Sequence, residues 1–162
     1  QESRFFCATS AAPNKNLKNL IVGFDLALRS GNGGTLRLTV TKNQLSDDLK
    51  EIIEKSGKKI VLLGPLSHDS VLHEIERCDA VVVPSTIESF GMTFIEAVAY
   101  KKPILASDLD FSHQFCLPEE VFNPKNPASI ARAFNRFSRV MKKSYDLSVE
   151  SLISELLEYS YD

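Results

Sequence analysis

Two carboxylates, Glu88 and Glu96, flank a glycine in the run Glu88-Ser89-Phe90-Gly91-Met92-Thr93-Phe94-Ile95-Glu96. Upstream, Asp79-Ala80-Val81-Val82-Val83-Pro84-Ser85 is short, β-branched and almost wholly apolar, as suits a strand buried on both faces of a parallel sheet. Downstream of Gly91, Met92, Ile95, Val98 and Ala99 recur at helical spacing. Strand, glycine turn and helix in that order form a seat for phosphate. The first turn of a helix carries unpaired N–H groups and a partial positive charge, and glycine lets the backbone approach closely. A diphosphate held there would leave a hydroxylated group at each end for an acid to grip, which is the layout of a nucleotide sugar. The same helix is apolar nearly all round except for Thr93, Glu96 and Tyr100, and a narrow polar stripe of this kind is equally the solvent face of an ordinary helix.

The elements that would position these residues alternate along the chain. Phe5 to Thr9 reads as a first strand, followed by the loop Ala11-Ala12-Pro13-Asn14. Leu17, Leu20, Ile21, Phe24 and Leu28 mark a helix with one buried face, capped by Asn14 or Asn16. Gly31-Asn32-Gly33-Gly34 closes it, and Thr35 to Thr41 alternates as a second strand. A helix near Leu45 to Lys55 turns Leu49, Ile52 and Ile53 inward and stops at Gly57. Ile60 to Leu63 is the third strand; Ser67 or Asp69 caps a helix with Val71, Leu72 and Ile75 inward; Ala80 to Val83 is the fourth. After the glycine-led helix come a fifth strand at Ile104 to Ala106, a long loop carrying Asp108, Asp110, His113 and Cys116, and a short sixth strand near Val121. Pro127 opens a helix with Ile130, Ala133, Phe134 and Phe137 on one face, and a separate last helix uses Val149, Leu152, Ile153, Leu156 and Leu157.

Such alternation predicts an α/β protein, a Rossmann-like open parallel sheet of about six strands with helices on both faces. Ligands of these sheets sit beyond the carboxyl ends of the strands, where the strand order reverses. The loops after strands one, three and four should therefore converge, bringing Lys15, the Gly64 turn and Glu88 to Glu96 to one crevice.

The 162 residues, 43% hydrophobic and 25% charged, suit one domain over 1–162. A net charge of −2 offers no basic field for nucleic acid. With no long apolar run and no signal peptide in view, the expectation is a cytoplasmic chain, with attachment of the full-length protein to the inner face of a membrane left open. Cys7, Cys78 and Cys116 lack metal or redox spacing, and the first two sit among strand residues as packing atoms, as suits a reducing compartment. His68 and His73, with Asp69 and Glu74 nearby, fall on different faces of a helix, so no metal site is expected.

The central segment resembles the E-x7-E motif of the retaining GT-B glycosyltransferases of the "group 1" type. The resemblance runs from about Phe5 to Phe134, through the first strand with its lysine-bearing loop, Ile60-Val61-Leu62-Leu63-Gly64-Pro65-Leu66, Asp79 to Ser85, the motif itself, Lys102-Pro103-Ile104-Leu105-Ala106-Ser107-Asp108, and Val121 to Pro127. It implies the C-terminal, donor-binding domain of a two-domain enzyme whose N-terminal acceptor domain is absent. The donor diphosphate would rest on Ser89, Phe90, Gly91, Met92 and Thr93, helped by Lys15. Glu96 would hold the ribose, Glu88 the transferred sugar, and Gly64, Pro65 and Leu66 the base. Lys15 and Glu88 are the implied catalytic pair, with a nucleotide-diphospho-sugar as donor, a glycan or lipid-linked acceptor, and neither metal nor other cofactor. Taken alone the domain should transfer little or nothing.

Two departures from the family pattern stand out. The usual "G-R" pair of the first loop is Thr9-Ser10 here, so one basic phosphate ligand is missing, and Lys42 is a possible substitute for it. That loss leaves open a nucleotide-binding or interaction module with the same fold and no transfer activity. An NAD-binding domain fits less well, because no G-x-G-x-x-G follows the first strand.

Overall fold

The apolar runs of the chain pair in parallel into one six-stranded sheet with the order β3-β2-β1-β4-β5-β6. A computed structural model describes residues 2–88 and 91–158, with side chains described at all of these except 115 and 143–158. The strands are β1 (Arg4–Cys7), β2 (Thr35–Leu38), β3 (Ile60–Leu62), β4 (Ala80–Val83), β5 (Ile104–Ser107) and β6 (Glu120–Phe122). Between them run α1 (Leu17–Arg29), α2 (Asp47–Lys55), α3 (His68–Arg77), α4 (Met92–Ala99) and α5 (Asp110–Phe115), and α6 (Pro127–Glu158) follows the last strand.

Side chains alternate across a strand, so a strand that is apolar throughout feeds two cores at once. Phe5 and Cys7 of β1, with Ala80 and Val82 of β4, pack on α1, α2 and α6 through Leu20, Ile21, Phe24, Leu49, Ile130 and Phe134. Phe6, Val81 and Val83 face the other way, onto Ile75 of α3 and Phe94 and Ala97 of α4, with Phe111 of α5 beside them. On the first face Phe5 and Phe134 meet edge-on at 4.7 Å between ring centroids, and Phe24 and Phe134 at 4.9 Å.

Where α1 crosses α6, Gly23 is required by the closeness of the two helices. A Cβ built there would lie 2.7 Å from both Cβ and Cγ2 of Ile130 and 3.0 Å from the Pro127 carbonyl oxygen. Gly→Ala in a free helix gains up to about 1 kcal/mol. At Gly23 the overlap reverses the sign, and Gly23→Ala is expected to lose about 1–3 kcal/mol of stability. Urea unfolding checks this; a midpoint that rises would mean the helices are not in this contact.

Several boundaries and faces differ from the sequence expectation. The stretch from Asp108 to Cys116 is not all loop, because α5 occupies its middle and His113 lies within it, bonded through Nε2 to Asp108 Oδ1 at 2.9 Å. The last two helices are one, since nothing between Phe137 and Val149 is a glycine or proline that would break the pattern; the inward face expected for Val149 to Leu157 lies outside the described side chains. Regular pairing in β2 ends at Leu38, and Lys42–Gln44 forms a short 3₁₀ turn before α2 starts at Asp47. In α4 the periodic set points outward: Met92, Ile95 and Val98 are 50–56% exposed, while Phe94 and Ala97 are fully buried.

Candidate functional site

Strand order reverses at the centre of the sheet, where β1 runs between β2 and β4. The loops leaving the carboxyl ends of β1 and β4 therefore diverge to helices on opposite faces and open a crevice between them. Across that crevice the two loops are tied by one backbone and one side-chain bond. The Thr86 N–H donates to the Asn14 carbonyl at 2.9 Å, and the Asn14 side-chain amide donates to the Ile87 carbonyl at 3.3 Å.

Asn16 plays a part different from the expected cap. It stands at the helix boundary with φ 58°, a left-handed conformation that asparagine tolerates better than most residues, and its side chain makes no cap bond. Instead its amide donates to the carbonyls of Pro84, at 3.0 Å, and Pro124, at 2.7 Å. One side chain thus joins the loop after β1, the loop after β4 and the entry to α6. In the sequence, the only signal for this was an asparagine immediately before an apolar helix.

This bracing sets Lys15, the last residue of a 3₁₀ turn, over the crevice. Its Nζ lies 3.0 Å from Glu88 Oε1, which also accepts a bond from the Ser85 hydroxyl at 2.7 Å. The side chains of Lys15 and Glu88 are 29% and 16% exposed, so the pair is partly withdrawn from solvent but still reachable. Cys7 lies close enough to this charge pair to feel it, yet burial dominates and pushes its thiol up to about 12. It stays protonated at neutral pH and is a packing atom rather than a nucleophile. Burial likewise raises Cys78, to about 11.

Gly91 precedes α4 with φ 60° and ψ 31°, a backbone conformation that a Cβ would penalise by about 1–2 kcal/mol. Thr93 is half-buried in the first turn, and Met92 faces outward. Ser89 and Phe90, expected beside the diphosphate, lie outside the described residues. Glu96 does not belong to a solvent face: its side chain is only 13% exposed, and Oε1 meets His68 Nε2 at 2.7 Å. The alternative of a solvated stripe on α4 is thereby overturned at Glu96. The solvent side is taken by Met92, Ile95 and Val98.

The third loop arrives by way of Gly64, which has φ 72° and whose N–H donates to the Val40 carbonyl at 3.1 Å. Pro65 and Leu66 line a cleft of about 270 Å³ with Thr9, Ser10, Thr39 and Gln44, so the turn expected to meet a base faces the loop after β1. Ser67 then caps α3, accepting from the Ser70 N–H at 3.2 Å, and sets His68 at the first position of that helix. Lys15, Glu88 and the Gly64 turn thus come from three loops to one end of the sheet, where Glu96 of α4 meets the start of α3. The bond from His68 to Glu96 was invisible in the sequence, because it joins positions on separate helices.

Among the described residues, the two positions considered for the missing arginine are paired elsewhere. Thr9 is locked to Thr39, its N–H donating to Thr39 Oγ1 at 2.8 Å while that hydroxyl donates back to the Thr9 carbonyl. Lys42 is engaged elsewhere, with its Nζ 2.7 Å from Glu54 Oε1 of α2. His73 meets Arg77, at 3.3 Å, rather than His68. Arg37 grips Glu74 with two bonds of 2.8 and 2.9 Å, which hold the Glu74 carboxyl below its ordinary range and fasten α3 to β2. Among the described residues, no three His, Cys, Asp or Glu side chains gather to hold a metal ion, and no helix is long and apolar enough to cross a membrane.

A family model described as glycosyl transferases group 1 matches residues 2–148. The chain belongs to that family. This group 1 glycosyl transferase chain is 32% identical over 98 residues to an uncharacterized glycosyltransferase of Methanocaldococcus jannaschii, covering 57% of this chain and 25% of that protein. It is 29% identical over 124 residues to the GtfA subunit of UDP-N-acetylglucosamine–peptide N-acetylglucosaminyltransferase from Streptococcus agalactiae, covering 70% of this chain and 22% of that protein. The chain thus spans a quarter or less of the length of these relatives. Among solved structures, sucrose-phosphate synthase from Thermosynechococcus elongatus matches with a TM-score of 0.65 at 22% identity, over 83% of this chain and 36% of that one. HepE from Anabaena, solved in complex with UDP, gives 0.66 at 21% identity, over 83% and 38%. The fold is that of the GT-B glycosyltransferases, a Rossmann-like parallel sheet covered on both faces.

Proposed function

We propose that this chain is the nucleotide-diphospho-sugar-binding half of a retaining glycosyltransferase, one that moves a hexose-type sugar to a glycan or lipid-linked acceptor in polysaccharide or glycoconjugate biosynthesis. The observation that carries this reading is the Lys15–Glu88 pair, which bridges the loops after β1 and β4 at the strand-order reversal, just ahead of the glycine that opens α4. Lys15 and the N–H groups at the Gly91 turn receive the diphosphate, and their fixed positive ends stabilise charge as it departs. Glu96 accepts from ribose hydroxyls, which suits a carboxylate with about four acceptor sites. Glu88 faces the transferred sugar, and the turn Gly64-Pro65-Leu66 meets the base. The UDP bound to HepE supports a uridine nucleotide as the first candidate to try.

Acceptor contacts come from an N-terminal domain of the same protein, so the chain by itself binds donor without transferring the sugar. Calorimetry with UDP, GDP, ADP and their sugar conjugates tests the reading. One nucleotide sugar should be preferred, and Glu96→Ala should weaken it about tenfold, the loss of about 1.4 kcal/mol. A second reading, a nucleotide-binding or, where no nucleotide binds, a protein-interaction module with the same fold and no transfer activity, draws on the Thr9-Ser10 loop, which brings no arginine to the crevice, and on the engagement of Lys42 with Glu54. Absence of any binding at millimolar ligand would favour that module.

A further inference from the structure

Glu96 does not stand alone on α4, because His68 Nε2 lies 2.7 Å from its Oε1. The two residues share no element: His68 opens α3, and Glu96 sits in the second turn of α4. The contact is asymmetric in exposure, with His68 67% exposed and Glu96 13%. The histidine therefore lies over the carboxylate from the solvent side, rather than the carboxylate reaching out to it. His68 is also tightly placed along the chain. Gly64 turns with φ 72°, Pro65 fixes its own φ, and the Ser67 cap starts α3 one residue before the imidazole.

We infer that His68 is a positioning residue for nucleoside recognition, holding Glu96 in the rotamer that meets the ribose and coupling it to the Gly64-Pro65-Leu66 turn. This rests on the proposed role of Glu96 as the hydroxyl-binding acid. A carboxylate offers about four acceptor sites, and one bond from an imidazole N–H leaves the rest for a diol. Without that bond Glu96 samples other rotamers, and the cost of ordering it falls on the ligand. Because His68 follows the base-facing turn by two residues, any shift of that turn moves the imidazole and the carboxylate with it. Base and ribose are then read as one unit, not as two independent contacts.

The test is calorimetry on the full chain with UDP and its 2′,3′-dideoxy analogue. His68→Ala should weaken UDP about 3- to 10-fold, the range of one hydrogen bond, and leave the dideoxy analogue unchanged. His68→Gln, whose amide nitrogen reaches about as far as Nε2, should restore most of the preference. A histidine that merely props up α3 would weaken both ligands together and gain nothing from glutamine, which would overturn the inference. If Glu96→Ala removes the preference for UDP over the dideoxy analogue but His68→Ala does not, the inference fails while the proposed role of Glu96 stands. If neither removes it, the role of Glu96 fails first. A ligand-free readout covers a chain that binds neither nucleotide: the side-chain nitrogen resonances of His68 should move in Glu96→Gln, and unchanged resonances would overturn the contact itself.

Discussion

Replacing Lys15 with alanine is expected to weaken binding of UDP about 10- to 150-fold, the equivalent of a charge-assisted hydrogen bond of about 1.5–3 kcal/mol. The expected loss is large because the ammonium works nearly alone. It is the only basic side chain between Ala8 and Asn16, and the neighbouring Thr9 and Ser10 bring no charge to the crevice. Its side chain is 29% exposed, so added salt should screen its pull on a phosphate less than it would at an open surface. An ammonium has three donors, and the bond to Glu88 uses one of them. The pair is therefore a way of aiming Lys15 and need not be broken for an anion to enter.

Lys42→Ala provides the comparison. Its partner is Glu54, and both side chains are about 60% exposed, so UDP affinity should be unchanged. Loss of Lys15 also leaves Glu88, 16% exposed, held by the Ser85 hydroxyl, so urea midpoints measured alongside separate lost binding from lost folding. Equal affinities for the wild type and Lys15→Ala, at equal stability, would remove the crevice as the anion seat.

The parts of this site that could be read from the sequence are those governed by short-range rules. An apolar β-branched run, a proline and a glycine mark β4, its end and the start of α4, because each residue restricts the backbone by itself. Alternation of strands and helices, with right-handed crossovers, then constrains the sheet strongly enough to bring Lys15 toward Glu88. The outward face of α4 could not be read this way. With apolar residues nearly all round, its periodicity names no unique inward side, and burial of the bulky Phe94 decided the matter against Met92, Ile95 and Val98. Helix α5 escaped notice because six residues are too few to display a period. The contacts of Asn16, expected only as a cap, and of His68, weighed only as a metal ligand, were missed for a different reason: each acts on residues brought near only by the completed fold, Pro84 and Pro124 for one and Glu96 for the other.

Phe134→Ala carries the largest expected effect on stability, a loss of about 3–5 kcal/mol by urea or thermal unfolding. Its ring is fully buried and sits edge-on to both Phe5 and Phe24, so truncation opens a cavity between the sheet, α1 and α6 at once. Against a typical total of about 5–15 kcal/mol, that is a large share. Val140→Ala, six residues along the same helix and 52% exposed, should stay within about 0.5 kcal/mol. The contrast tests the docked face of α6 and not merely its helicity. Weakening this dock also reaches the site, since the Pro124 carbonyl just ahead of α6 accepts from the side chains of both Asn16 and Asn19. Those bonds brace the loop that presents Lys15. The folded fraction of Phe134→Ala should therefore bind UDP more weakly than the wild type, whereas affinity per folded molecule equal to the wild type would mean that the loop holds its shape without α6.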